Sequence, residues 1–213
     1  MRAWRTAAVF GVLVLVAVAF GLGVLVTRDD KDQKAPRRTE VVRVSPFGGS
    51  GSLRAGYEIA GTKDGSCDLP SEIVAGAFRC FSGDSIDDAC WRDDSQEDRA
   101  LCLRSPTSKR AFAINTRRPL RSPPATGHFP PWHLVLSSGE DCTFITGAGS
   151  TSGDKRVNYQ CKAGSGGLNL VGTPTRYADH LWRIGAARQQ GTKYSPEERP
   201  REIERTYYGT YRR

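Results

Sequence analysis

The sequence is poor in the groups that carry out chemistry. Its 213 residues hold three histidines, His128, His133 and His180, and one methionine. None of the histidines lies in a His-Glu-x-x-His helix motif and no Gly-x-Ser-x-Gly elbow occurs, so neither a zinc protease nor a hydrolase serine is legible. Gly49-Ser50-Gly51 and Gly164-Ser165-Gly166 have turn or linker composition. A Ser/His/Asp triad is assembled in space rather than in sequence, so that arrangement is left to the fold. On motifs alone the chain reads as non-catalytic, with no cofactor.

Closely spaced cysteines are also missing. The gaps between Cys67, Cys80, Cys90, Cys102, Cys142 and Cys161 are 13, 10, 12, 40 and 19 residues. A structural zinc site draws on ligand pairs about two to four residues apart, and a dithiol redox centre needs a close pair that shares a lowered pKa. Both are therefore set aside, and no metal site is expected from the cysteines.

Nor is positive charge concentrated where a nucleic-acid fold would need it. The net charge is +8, but residues 1–38 hold seven basic and three acidic side chains and residues 186–213 hold seven and four. Between them, residues 39–185 carry 17 basic and 16 acidic groups and are nearly neutral. A binding domain would gather its basic residues on the folded part, so nucleic acid is not an expected partner.

What the sequence does have is an uninterrupted apolar run from Ala7 to Val26, 20 residues without a charge. At ~1.5 Å of rise per residue it matches a hydrocarbon core of roughly 30 Å. The competing reading is a cleaved signal with Ala17-Val18-Ala19 as the cleavage site, but Phe20 to Val26 extend the run beyond what such a signal uses. The organisation read from these features is a cytoplasmic N-terminus (1–6), a transmembrane signal-anchor helix (7–26), a flexible linker (27–54), an extracytoplasmic β domain (55–185) and a basic, disordered tail (186–213). The bilayer itself is thus the first expected partner. Basic residues on both sides of the run leave orientation ambiguous by loop charge alone, since Arg28, Lys31, Lys34, Arg37 and Arg38 follow it. The even set of six cysteines decides for an oxidising compartment, with the N-terminus inside and the rest outside the cell membrane.

The middle segment has the punctuation of an all-β fold. Trp132 to Leu136 and Cys142 to Thr146 flank the turn residues Ser137 to Asp141 and predict a hairpin. Further strands are expected at 57–60, 156–161, 168–171 and 180–184, with a helical turn near Asp94 to Cys102. Alternation places His133 on the solvent side of its strand. The expected fold is mainly β, a small disulfide-stabilised antiparallel sandwich or barrel after one N-terminal transmembrane helix. Six cysteines allow many pairings; nearest neighbours, Cys67 with Cys80, Cys90 with Cys102 and Cys142 with Cys161, are preferred.

Two segments suggest binding. The acidic stretch from Ser82 to Asp98 offers Asp84, Asp87 and Asp88 as a weak calcium candidate, although EF-hand spacing is not met. The stretch from Arg117 to Pro124, followed by Phe129-Pro130-Pro131, is extended by its prolines and reads as a crossover or a recognition segment.

The string Trp132-x-Leu-x-Leu-x-Ser-Gly-x-x-Cys142-x-Phe-x-Thr-Gly147, then Val157-Asn158-Tyr159-x-Cys161 and Leu181-Trp182-x-Ile184, carries a resemblance. With Gly-x-Cys67, Phe78-Arg79-Cys80 and Asp88-x-Cys90, it resembles a class of uncharacterised exported or membrane-anchored, cysteine-containing proteins of high-GC Gram-positive bacteria. The resemblance implies structural cysteines and an envelope location, and it implies no reaction or ligand. The expected role is binding or assembly at the cell envelope, with an envelope protein or an anionic wall polymer as partner. The alternatives are a cell-wall-acting hydrolase and an accessory or sensory subunit of a membrane complex.

Overall fold

The computed structural model describes residues 38–48, 52–121, 123, 127–162, 164, 166–197 and 199–210. The apolar run 7–26 and its flanks lie outside the described residues. Among the described residues no helix is long and apolar enough to cross a membrane.

Period-two burial governs the architecture. Strands β2 (Glu58–Pro70), β3 (Phe78–Ser82), β4 (Ser85–Asp93), β5 (Gln96–Cys102) and β6 (Arg110–Thr116) pair in that order, and a parallel β2–β6 contact closes them into a barrel. Along β4, β5 and β6 the even-numbered Cys90, Ala100, Cys102 and Ile114 join Cys67, Phe78 and Cys80 in one cluster. The intervening Ala89, Trp91, Leu101, Ala111 and Ala113 belong to another. Both faces of these strands are therefore apolar and buried, unlike the one-sided strands of a solvated sheet.

The second cluster is filled from the other half of the chain. A second sheet contains β1 (Glu40–Val44), β7 (His133–Leu136), β8 (Asp141–Phe144), β9 (Thr151–Ser152), β10 (Lys155–Cys161), β11 (Leu168–Arg176), β12 (Trp182–Gln190), β13 (Lys193–Pro196) and β14 (Arg201–Gly209). The path runs β14-β7-β8-β10-β11-β12, and pairing of β12 with β14 returns it on itself. Leu134, Leu136, Tyr159, Leu168, Leu170, Ile184 and Ile203 fill this ring. Val44, Phe47, Trp132 and Tyr207 instead meet the outward residues of the first barrel, with the Trp91 and Trp132 rings 6.3 Å apart. Trp91 donates its Nε1–H to the Thr210 carbonyl at 3.1 Å. The seam is thus an apolar layer with its polar group satisfied.

The mainly β reading holds, with three disulfides. The bridges are Cys67–Cys80, Cys90–Cys102 and Cys142–Cys161, the nearest-neighbour set, and no cysteine is free. Cross-strand register explains two of them: Cys90 lies opposite Cys102, and Cys142 opposite Cys161.

Four expectations are corrected. The expected disordered tail at 186–213 is folded over its described residues, 186–197 and 199–210: β12 continues to Gln190, and β14 lies between β7 and β12 with Ile203 and Thr206 fully buried. Their few aliphatics suffice because the strand borrows a core built by the rest of the chain. The domain does not begin at 55: β1, within the expected linker, pairs in parallel with β14, and buried Thr39 bonds the Ile203 carbonyl and the Trp182 amide. The expected helical turn at 94–102 is strand β5, whose Leu101 and Ala100 face opposite cores. His133 does not face solvent; it is 1% exposed.

Candidate functional site

Arg43, Arg54 and Lys109 border one cleft of about 410 Å³, with Tyr57, Pro106, Thr107 and Tyr207 among its other walls. Three segments converge to build it. Arg43 lies on β1. Arg54 is presented by the loop after β1, which is closed by a bridge between Phe47 and Leu53 and by the Arg54 amide bonding the Pro46 carbonyl at 2.9 Å. Lys109 follows the turn in which Ser108 N–H bonds the Ser105 carbonyl, and its own carbonyl accepts from the Glu58 amide.

The cations are held rather than loose. Arg54 donates its Nε–H to the Phe47 carbonyl at 2.8 Å, and the Lys109 ammonium lies 4.2 Å from the centre of the Tyr57 ring. Neither these two nor Arg43 forms an ion pair with a described residue, although arginines elsewhere are paired, as in Arg79–Asp88, Arg99–Asp93 and Arg201–Glu197. Among the described residues no carboxylate lines the cleft. Exposed cations gathered without counter-charge attract anions, and the guanidinium fork suits phosphate or carboxylate oxygens.

A second cleft, of about 360 Å³, opens at the barrel junction between Ser85–Ala89, Leu103 and Arg104 on one side and Trp132, Thr143, Phe144 and Thr146 on the other. Behind it stands His133. Its Nε2 is 3.1 Å from Asp141 Oδ1 and its Nδ1 is 3.0 Å from the Thr143 hydroxyl. The two partners are alternate residues of β8, on the same face of the strand. Burial pushes the His133 pKa down, against the pull of the Asp141 hydrogen bond, so the ring is neutral. Asp141 is in turn held below the ordinary carboxylate range by Lys162, 2.5 Å away, and by His133. A neutral ring that donates to Asp141 must accept from Thr143. The arrangement locks β7 against β8. His128 is exposed in the crossover and His180 is exposed in the turn between β11 and β12.

The structure does not gather the calcium candidates. Asp88 is buried and spends Oδ1 on the Ser71 hydroxyl and the Glu72 amide, and Oδ2 on Arg79. Asp87 pairs with Arg104, while Asp84 is exposed at the β3–β4 turn. Asp93 likewise binds Ser95 and Arg99. These acids order the first barrel. Among the described residues, the one group with metal-like spacing is the sulfurs of Cys80, Cys90 and Cys102, and all three are committed to disulfides.

The fold and clefts define a class: a disulfide-stapled pair of fused β-barrels bearing a cationic cleft and a mixed polar cleft. Compared with known proteins, the chain matches no family model, no curated protein and no solved structure. Sequence reasoning missed the cationic cleft because Arg43 and Arg54 come from the segment read as linker, and Lys109 from a stretch that carried no motif.

Proposed function

We propose that this protein is a single-pass membrane protein of the cell envelope whose extracytoplasmic β domain binds an anionic ligand, an acidic wall polymer, in the cleft of Arg43, Arg54 and Lys109. The lining of one cleft by three cationic residues, none with an ion-pair partner among the described residues, is the observation that carries the reading. The apolar run Ala7 to Val26 supports tethering, and the use of every cysteine in a bridge supports an oxidising compartment. The resemblance to exported proteins of high-GC Gram-positive bacteria points the same way.

The test is binding of the full chain, in lipid nanodiscs, to inorganic polyphosphate, followed by a change of salt. Affinity is expected to fall steeply as the screening length drops from about 10 Å at 0.1 M to about 3 Å at 1 M salt. It is expected to be lost in an R43A/R54A/K109A variant. Unchanged binding in that variant overturns the reading of the cleft. Thiol labelling of intact cells tests the location separately: cysteines reactive without reductant contradict an extracytoplasmic domain.

A hydrolase is the second reading, favoured by the His133 contacts with Asp141 and Thr143. It requires His133→Gln to abolish an activity toward wall material, whereas the locking role requires a loss of stability alone.

A further inference from the structure

We propose that the cleft at the barrel junction is a saccharide-binding site, with the Asp87 carboxylate as its anchoring acceptor. This inference stands apart from the cationic cleft and rests on other residues. Asp87 lines the junction cleft from β4 and its side chain is 6% exposed. Its Oδ1 takes a long 3.3 Å bond from Arg104 Nε, and its Oδ2 has no hydrogen-bond partner among the described residues. A buried carboxylate oxygen left in that state is costly, and a ligand donor that reaches it removes the cost on binding.

The neighbouring groups say what kind of donor fits. Arg104 is 61% exposed and rests on the Phe112 ring, 4.9 Å from its centre, so its side chain is the one that can swing off Asp87 to admit a ligand. Its remaining N–H groups then face the same ligand. Across the cleft, Thr143 gives its proton to His133 Nδ1, which fixes its oxygen as an acceptor. Ser85 and Thr146 add hydroxyls. One carboxylate, one guanidinium and a fixed hydroxyl acceptor suit vicinal hydroxyls, each of which both donates and accepts.

Charge narrows the class further. A ligand of net positive charge is opposed by Arg104 and one of net negative charge by Asp87, so the pair favours a ligand without net charge, and the hydroxyls of Ser85, Thr143 and Thr146 favour a polyol among these. Ile86, which is exposed, and the half-buried Phe144 supply apolar surface for the C–H face of a sugar ring. A cleft of about 360 Å³ is of small-ligand size and lies at a junction between two packed units, where such sites concentrate.

The experiment titrates the full chain in lipid nanodiscs with glucose, N-acetylglucosamine and the linear trimers of each. At least one is expected to bind with a stoichiometry of one. Asp87→Asn is expected to weaken binding about tenfold or more and Thr143→Val severalfold, whereas the R43A/R54A/K109A variant keeps the wild-type affinity. If Asp87→Asn does not fold, Thr143→Val and Arg104→Ala decide: both must alter the affinity. No binding to any of the four sugars overturns the proposal. So does binding that ignores the junction variants or that vanishes in the triple variant.

Discussion

His133 and Asp88 are the residues whose surroundings determine most. Burial lowers the His133 pKa, so below about pH 6.5 the unfolded chain takes up a proton that the folded chain refuses. The unfolded state then binds more protons, and stability falls as the pH is lowered. Asp141, whose pKa is lowered by Lys162 and His133, adds a loss of the same sign in more acidic solution. Urea denaturation is therefore expected to show lower stability at pH 5.5 than at pH 7.5. His133→Gln should be less stable at neutral pH and should flatten this slope; an unchanged slope contradicts the assignment. Asp88 satisfies Ser71, whose hydroxyl also accepts from the Ile73 and Val74 amides and so holds that loop in the seam. Asp88→Ala leaves Arg79 partly buried without one of its two carboxylates, the other being Glu72. The expected cost is about 3 kcal/mol, read from the denaturation midpoint.

At the scale of elements, β14 is the strand on which the second barrel depends. It pairs with β1, β7 and β12, so it has no free edge to lose. A chain ending at residue 200 is expected to lose the protease resistance of the whole second sheet, whereas an unstructured tail could be removed without effect. Limited proteolysis with mass mapping distinguishes these outcomes. Two close approaches are equally sensitive. A Cβ on Gly65 would meet the Phe81 carbonyl oxygen at 2.2 Å, and one on Gly209 would meet Val74 Cγ2 at 2.2 Å. The first obstacle is backbone and cannot give way. The second is a side chain packed in the seam. Gly65→Ala is therefore expected to destabilise more than Gly209→Ala, by thermal melting of each variant under identical conditions.

The whole molecule divides its covalent support unevenly. The first barrel has two bridges, of 13 and 12 residues' separation, and the second has one of 19. The chain-entropy model assigns each roughly 3 kcal/mol. That is a large share of the ~5–15 kcal/mol that keeps a domain folded. Reduction under native conditions should accordingly raise hydrogen exchange first in β2 to β6 and later in β7 to β14. Simultaneous opening of both sheets would instead mean that the seam around Trp91 and Trp132 makes them one cooperative unit.

Much of this fold was legible because it is local. The hairpin 132–146 and the strands at 156–161 and 168–171 follow from alternation and turn residues, each within a few positions of its partner. The pairing of neighbouring cysteines follows from the same closeness along the chain. Strand β5 was misread because its acidic start at Gln96-Glu97-Asp98 resembles an exposed helical turn, and only its partners β4 and β6 show it to be a strand. The cationic cleft was not legible for a similar reason: Arg43, Arg54, Lys109 and Tyr207 lie up to the length of the domain apart in sequence.

By itself, then, the sequence determined the β character, the nearest-neighbour bridges and the near-neutral charge of the middle segment, all of which depend on residue type and short separations. Only the tertiary structure decided that there are two barrels, that the expected linker and tail both contribute strands to one sheet, and that His133 is buried. Each of these depends on contacts such as Thr39 with Ile203, 164 residues apart, whose pairing is set by the cores they complete and not by any pattern within either segment.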